Sequence, residues 1–587
     1  MSAEGEPIHD PQTAARIEER HRALAVGAIA LPNLFLRSAI TLGLLYGALG
    51  IVLIALVQIG VIKSAGIAVA IGCGIILLQY ALGPWFMDLS LRWLYSMSWV
   101  EPTQLPVHLR RFVEKTCEAE RMKFPSVGII HDGAPTAFTY GHHPSNARVV
   151  ISQGLIDLLT PDELEAVVAH ELGHARNWDM ALMTLANLVP LLLYYVYDLS
   201  LRVRNGGDNK GKDYSIIVAI GAYVLYVISE YLVLWFSRTR EYYADRFAAE
   251  ATGKPNALSM ALVKIAYGLA NRGGAGEQAT EEERKAAAAK SKRIDAMGAL
   301  NIFDRHAAVG LVMASASGPA VGPDPEQIKG AMQWDLWNPW ALYYEIHSTH
   351  PLVAKRITAL SDQAAALDQK PLVVFDRAKP ESYWDDFTVD LSVMWAPTIG
   401  FLTGLAVFIW QFAVTNGSTK SFAWLGIGLL LCGLASLVRC RFSYRADVFE
   451  HLTVAALLHR VKVSAVRPVP CTLTGQIIGK GVPGLVWSED FVMRDDTGLM
   501  FLDYRQPLRI WEWLFGLFRA GQYQGKNVRV TGWYRRSPVP YLEVKHIEVL
   551  DKSVPDRTTY SYYWQYIVAT IIAVGGAALT CWALIQK

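Results

Sequence analysis

The sequence has no close pair of cysteines, no excess of charge of either sign and few charged residues overall. Its cysteines are Cys73, Cys117, Cys432, Cys440, Cys471 and Cys581, with no CxxC spacing. This pattern argues against a thiolate zinc site and against a disulfide scaffold. Lysine and arginine total 55 against 53 acidic residues, so no nucleic-acid partner is expected on electrostatic grounds. Residues 1–36 lack the apolar core of a cleaved signal peptide, and they are predicted to form a cytoplasmic tail.

Long apolar runs are what the sequence has in abundance. Hydrophobic residues make up 52% of the chain and the mean hydropathy is +0.22, which is high for a soluble globular protein. Seven runs approach or exceed the roughly 20 residues that a membrane-crossing helix needs. They lie near 37–62, 65–87, 181–201, 215–236, 390–414, 421–438 and 563–585. A soluble enzyme with buried helices rarely has so many uncharged runs, so about seven membrane spans are predicted.

The positions of lysine and arginine predict the orientation of these spans. Arg92, Arg110 and Arg111 follow the second run, and Arg439 and Arg441 follow the sixth, so both segments are predicted to be cytoplasmic. The loop at 202–214 conflicts with this topology, because it carries four basic residues on the side that would be outside.

The stretch VVAHELGHARNWD, at 167–179, places two histidines four residues apart beside a carboxylate. The surrounding apolar spacing predicts a helix, on which residues i and i+4 share a face. His170 and His174 can therefore bind one metal ion, while Glu171 can act as general base on a water that the metal activates. Gly173 leaves room for a substrate or for a neighbouring helix.

A catalytic zinc ion needs a third protein ligand, and the segment SRTREYYADRFAAE at 237–250 contains a candidate. Glu241 and Asp245 share a helical face, so Glu241 can bind the metal while Asp245 fixes the tautomer of a histidine. Alone, this segment is more typical of a charged helix beside a membrane. The two runs between His174 and Glu241 return the chain to the side that it left, so both ligand groups are predicted at one membrane face.

At these residues the sequence resembles the HtpX-like and CAAX-prenyl-protease family of integral-membrane zinc peptidases, of gluzincin type. The resemblance covers roughly residues 100–360 and includes the blocks PSVGIIHDGAPTAFTYG, ARVVISQGLIDLLTPDELEAVVAHELGHARNWD, SRTREYYADRFAA and THPLVAKRI. It implies one zinc ion per chain. The implied ligands are His170, His174 and Glu241, the implied base is Glu171, and the implied supporting residues are Asp245 and Asp179.

The block THPLVAKRI adds His350, which the resemblance implies to steady the substrate or the tetrahedral intermediate. The alternative is that Pro351 opens a helix and His350 only caps it. Arg356, further along, is expected to be a salt-bridge partner.

Two short segments, 136–141 and 147–152, alternate in polarity like strands joined by a turn. The resemblance implies that this edge holds the substrate as an added strand, with Thr136, Ala137 and Phe138 as contacts. Many relatives have asparagine where this chain has Thr136, so an amide contact to the substrate is not expected here.

Residues 465–550 read as five strands with a helix at 507–518 between the third and the fourth. This order is typical of an OB-type barrel. Because the barrel lies between two predicted spans, a regulatory, substrate-recruiting or oligomerisation role is favoured over nucleic-acid binding.

The predicted fold is a multi-span α-helical membrane protein with an α+β gluzincin-type peptidase domain and a small all-β OB-like domain. Its predicted parts are a tail (1–36), a transmembrane hairpin (37–90), the peptidase domain (91–389, with a transmembrane hairpin at 181–236), a second such hairpin (390–438), a cytoplasmic domain (439–560) and a final span (561–587).

The predicted function is zinc-dependent cleavage of misfolded or regulated membrane proteins, at the cytoplasmic face of a bacterial inner membrane. One alternative is a narrow-specificity processing protease of the prenyl-protein type. Another is a non-enzymatic scaffold or transporter with a relict metal site, although a damaged ligand set would then be expected.

Overall fold

The computed structural model describes residues 33–58, 65–95, 97–131, 136–206, 212–272, 325–376, 378–379, 381–445, 448–480, 490–537 and 539–586. Most of the predicted N-terminal tail and the tip of the 202–214 loop lie outside these ranges. The described residues form two compact units. The first contains 33–269 and 345–374, and the second contains 270–272, 325–344 and 375–586.

The first unit combines helices with one small sheet. Its helices are α1 (Leu34–Gln58), α2 (Ala65–Tyr95), α3 (Val107–Ala119), α4 (Gln153–Leu158), α5 (Pro161–Arg176), α6 (Asp179–Gly206), α7 (Lys212–Thr252), most of α8 (Pro255–Arg272), the end of α10 (Pro339–Ile346) and α11 (Val353–Ala366). Its strands are β1 (Met97–Val100), β2 (Ser126–Ile130), β3 (Ala137–Gly141) and β4 (Ala147–Ser152).

The second unit contains a helical group and a barrel. Its helices are α9 (Pro325–Trp337), most of α10, α12 (Trp384–Val414), α13 (Phe422–Ser443), α14 (Val454–Leu458), α15 (Arg509–Phe518) and α16 (Ser561–Ile585). Its strands are β5 (Glu450–His451), β6 (Val469–Lys480), β7 (Phe491–Arg494), β8 (Leu499–Asp503), β9 (Asn527–Ser537), β10 (Val539–Val549) and β11 (Arg557–Thr558).

Within the described residues, 6 helices are long and apolar enough to cross a membrane. The candidate spans are Leu34–Leu56, Asp179–Leu201, Ile216–Thr252, Trp384–Val414, Thr419–Ser443 and Ser561–Ile585. These segments coincide with six of the seven predicted runs. The remaining run, at 65–87, lies in α2, which is not among the six.

The sheet of the first unit has the strand order β1-β2-β4-β3, so β3 lies at an edge. β3 and β4 are antiparallel, as the alternation of 136–141 and 147–152 predicts, while β2 and β4 are parallel. Helix α5 lies against β3, and Thr139 on β3 donates a hydrogen bond from Oγ1 to the carbonyl of Glu171, at 3.1 Å. The edge strand therefore runs beside the helix that carries the histidines.

Helix α5 begins with a capping box, in which Thr160 and Glu163 satisfy each other's backbone amides. Pro161 occupies the first turn, where its missing N–H costs nothing. The helix packs closely on α7 because Gly173 has no side chain, and a Cβ at this position would lie 3.1 Å from Ala244 Cα. The room that Gly173 leaves is thus occupied by the neighbouring helix.

The barrel of the second unit closes through the strand order β6-β7-β8-β10-β9, with β9 pairing back onto β6. All neighbours are antiparallel except β8 and β10, which are parallel. With α15 between β8 and β9, this is the predicted β-β-β-α-β-β order of an OB-type barrel.

The boundary of this unit differs from the predicted domain boundary. Residues 325–344, which the sequence places inside the peptidase domain, pack in the second unit. Trp334 donates its indole N–H to the Val463 carbonyl at 2.9 Å, and Asp335 pairs with the buried Arg536 at 3.1 Å. Such contacts between distant parts of the chain leave no periodic signal in the sequence.

Candidate metal centre

Three side chains converge at the point where α5 meets α7. The Nε2 atoms of His170 and His174 are 3.2 Å apart; His170 Nε2 lies 3.5 Å from Glu241 Oε2, and His174 Nε2 lies 3.5 Å from Glu241 Oε1. In a tetrahedral zinc site with bonds of 2.0–2.1 Å, neighbouring ligand atoms are about 3.3 Å apart. The two histidine nitrogens therefore have the spacing of two corners of such a tetrahedron, and the ligand atoms of all three residues lie within 4.8 Å of one another.

The other ring nitrogen of each histidine faces a carboxylate. His170 Nδ1 lies 2.9 Å from Asp245 Oδ1, and His174 Nδ1 lies 2.6 Å from Asp179 Oδ2. Protons on the two Nδ1 atoms would face these carboxylates and leave the Nε2 lone pairs free to bind a cation. Asp179 reaches back to His174 because Trp178, in the turn between α5 and α6, adopts a left-handed conformation with φ of 59°.

Both of these carboxylates are in turn paired with buried arginines. Arg356 binds Asp245 with two hydrogen bonds, from Nε at 2.8 Å and from Nη2 at 2.6 Å, and its Nη1 lies 3.2 Å from Glu241. Arg240 pairs with Asp179. Sequence reasoning treated Arg356 only as a salt-bridge partner and missed Arg240, whose one signal was its position next to Glu241.

The net charge of this buried cluster favours a divalent cation. The cluster contains four carboxylates and two guanidinium groups, so its formal charge is −2 when both histidines are neutral. The carboxylates are Glu171, Asp179, Glu241 and Asp245, and the arginines are Arg240 and Arg356. Uncompensated charge in an interior is costly. Two imidazoles and a carboxylate are also ligands that zinc prefers. The residues present therefore fit a zinc ion.

The pKa values of the two histidines are shifted in opposite directions. Burial lowers the pKa of His170, but the carboxylates of Asp245 and Glu241 outweigh burial and raise the pKa to about 9. Burial lowers the pKa of His174 to about 3. A cation bound between the two Nε2 atoms would displace the proton that His170 holds near neutral pH.

Glu171 and His350 complete the cluster. Glu171 is 3% exposed, and burial raises the pKa of its carboxyl group above the usual range. His350 is 7% exposed, and its Nδ1 lies 3.2 Å from Glu241 Oε1. The following helix, α11, begins at Val353 with Leu352 as its N-cap, so the alternative in which His350 caps a helix is wrong.

The free edge of β3 has a defined set of backbone groups. Ser152 donates its N–H to the Thr136 carbonyl, and its side chain accepts from the Thr136 N–H, both at 2.9 Å. Because antiparallel partners alternate between hydrogen-bonded and non-hydrogen-bonded pairs, the backbone groups of Thr136 and Phe138 point towards β4. Those of Ala137 and Thr139 point to the free edge, where no other strand of the described residues pairs with β3.

Comparisons with known proteins agree with this geometry. Residues 105–364 match the model of Peptidase family M48. The chain is 33% identical over 240 residues to a "Protease HtpX homolog" of Methanothermobacter thermautotrophicus, which covers 40% of this chain and 86% of that protein. It is 36% identical over 214 residues to a "Protease HtpX homolog" of Pyrococcus abyssi, covering 36% of this chain and 73% of that one.

A third relative, "Protease HtpX homolog 2" of Methanosarcina acetivorans, is 34% identical over 189 residues, which cover 32% of this chain and 64% of that protein. Among solved structures, the crystal structure of S. mikatae Ste24p aligns with a TM-score of 0.30 and 17% identity, over 55% of this chain and 64% of that one.

The matched residues contain the histidine pair, Glu241 and His350, and they end before α12 and the barrel. The helices long and apolar enough to span a bilayer make this an integral membrane protein. Its metal-binding cluster follows the HExxH pattern with a distant glutamate. The chain belongs to Peptidase family M48, and it is a membrane zinc metallopeptidase similar to HtpX.

Proposed function

We propose that this metallopeptidase is an endopeptidase that cleaves misfolded or regulated membrane proteins, using one zinc ion per chain. The convergence of His170, His174 and Glu241, with ligand atoms within 4.8 Å of one another beside the buried Glu171, is the observation that carries the proposal. These three side chains would hold the ion, and Asp245 and Asp179 would keep both imidazoles in the tautomer that leaves Nε2 free.

A zinc ion at this position would polarise the scissile carbonyl group and lower the pKa of a bound water molecule. Glu171 would take the proton from that water and pass it to the leaving amine. Because burial raises its pKa, Glu171 is a stronger base than an exposed glutamate. His350, whose ring lies beside Glu241, is the side chain placed to steady the substrate or the intermediate.

The free edge of β3 would bind the substrate as an added strand. The outward backbone groups of Ala137 and Thr139 would supply the hydrogen bonds, so the peptide would be held by its backbone with little dependence on its side chains. This mode suits unfolded segments, which have unpaired backbone groups.

The position of the site next to the membrane supports membrane proteins as substrates. α6 begins at Asp179 and α7 carries Glu241, and both helices contain membrane-crossing segments. Arg92, Arg110, Arg111, Arg439 and Arg441 favour a cytoplasmic site. We place the protein in a bacterial inner membrane, with the barrel as a regulatory or substrate-recruiting module.

The test is cleavage of an unfolded soluble protein and of an unfolded membrane protein by the detergent-purified chain. Wild type is compared with Glu171→Gln, and zinc content is measured in both. The matched control is Glu165→Gln, a change of the same kind on the same helix outside the cluster.

We expect cleavage by wild type and by Glu165→Gln, no cleavage by Glu171→Gln, and zinc in all three. Equal cleavage by Glu171→Gln would contradict its role as the base. A wild type that binds zinc and cleaves neither substrate would contradict the broad substrate range and favour a processing protease with few substrates.

A further inference from the structure

Arg240 is a buried arginine that lies beside a proposed ligand yet contacts a different carboxylate. Its side chain is 2% exposed, and its guanidinium group pairs with Asp179 Oδ1. The other oxygen of Asp179, Oδ2, accepts from His174 Nδ1 at 2.6 Å. Asp179 therefore connects Arg240 on α7 with His174 on α5 through its two oxygens.

The same arrangement occurs at the other histidine. Arg356 holds both oxygens of Asp245, and Asp245 Oδ1 lies 2.9 Å from His170 Nδ1. Each histidine thus has its own carboxylate and each carboxylate its own arginine. The two arginines differ in their contacts. Arg356 also contacts Glu241, whereas the ion pair of Arg240 among the described residues is with Asp179.

We infer that Arg240 is a positioning residue for the metal site: it fixes Asp179 so that the Nε2 of His174 points at the ion. The inference rests on the proposed zinc ligands and goes beyond them. Three segments depend on this contact, because His174 belongs to α5, Asp179 is the first residue of α6, and Arg240 belongs to α7.

The local geometry shows why an arginine is needed. The guanidinium carbon of Arg240 lies 4.9 Å from the centre of the Phe236 ring, one turn earlier on α7. A planar guanidinium group can pack on this ring and bind the carboxylate at the same time, whereas a lysine ammonium group is a compact charge on a flexible chain. Without Arg240, the cluster would carry a formal charge of −3 in place of −2, and Asp179 would lose the contact that sets its orientation.

The experiment measures metal binding by the full-length protein in detergent. The variants are Arg240→Gln, Arg240→Lys, Asp179→Asn and the double variant Arg240→Gln/Asp179→Asn. Zinc affinity is measured by competition with a chromophoric chelator, and the absorption spectrum of the cobalt-substituted protein reports the ligand geometry. Arg246→Gln, on the same helix and paired with Glu250, is the matched control.

We expect Arg240→Gln to weaken zinc binding by roughly 10–100-fold and to change the cobalt spectrum, as substitutions behind a ligand typically do. Arg240→Lys should recover part of the affinity, because it keeps the charge but not the planar group. The double variant should bind zinc within about threefold of Asp179→Asn, since Arg240 acts through Asp179. Arg246→Gln should match wild type.

Wild-type affinity and an unchanged cobalt spectrum in Arg240→Gln would overturn the inference. So would a double variant whose loss equals the product of the two single losses, because the residues would then act independently. If Arg240→Gln does not fold, wild-type affinity in Arg240→Lys together with an unchanged cobalt spectrum would overturn the requirement for arginine. A wild type that binds no zinc would instead contradict the proposed function.

Discussion

Replacing Arg356 by methionine should destabilise the first unit far more than breaking a salt bridge of similar length on its surface. Arg356 is 0% exposed, donates two hydrogen bonds to Asp245 and lies 3.2 Å from Glu241. Methionine keeps most of the apolar stem and removes the charge. Two buried carboxylates would then lose their cation, a change that costs about 3–5 kcal/mol in other proteins.

The matched comparison is Lys254→Met. Lys254 Nζ lies 2.6 Å from Asp162, as close as Arg356 lies to Asp245, but the two side chains are 50% and 56% exposed. An exposed pair of this kind contributes about 0–1 kcal/mol. The two pairs are equally short, but only Arg356 is buried and contacts a second carboxylate.

Thermal unfolding of the purified protein, followed by tryptophan fluorescence, compares the two variants. For a unit of this size class, 1 kcal/mol shifts the midpoint by roughly 2–4 °C, so Arg356→Met should lower it by roughly 6–20 °C and Lys254→Met by less than about 4 °C. Equal shifts in both variants would refute the reasoning, because burial would not set the cost of removing the cation.

Three further predictions concern the cluster and its edge strand. Zinc binding at pH 7 should release about one proton, because the pKa of His170 is about 9 and that of His174 about 3. Zinc affinity should therefore rise with pH up to about 9. Calorimetry in buffers of different ionisation enthalpy measures the proton release, and a value near zero would contradict the prediction. Gly173→Ala should weaken zinc binding, since its Cβ would lie 3.1 Å from Ala244 Cα and α5 and α7 would have to move apart by a few tenths of an ångström; unchanged affinity would contradict this. Ala137→Pro removes one outward N–H and should raise KM about tenfold, for one hydrogen bond of about 1.4 kcal/mol, with zinc content unchanged; an unaltered KM would exclude this edge as the substrate site.

The ligand-bearing helices are predictable from the sequence because helical spacing decides which residues share a face. The histidines are four residues apart, as are Glu241 and Asp245, and the two intervening membrane runs return the chain to one side. The barrel is likewise predictable, since its alternating strands and single helix follow each other in a recognisable order.

The arginines behind the carboxylates could not be predicted in the same way. A basic residue at the end of a membrane run is common for topological reasons, so the burial of Arg240 has no separate signal. The contact of Asp179 with His174 depends on a left-handed turn at Trp178, a conformation for which tryptophan has no preference. The sheet order β1-β2-β4-β3 and the packing of 325–344 on the second unit depend on long-range contacts.

X-ray absorption at the zinc edge of the purified wild-type protein tests the central claim most directly. The predicted result is one zinc ion per chain with nitrogen and oxygen ligands at about 2.0–2.2 Å and no sulfur, as expected for His170, His174 and Glu241. A sulfur shell near 2.3 Å, or a protein that retains no zinc, would contradict the account.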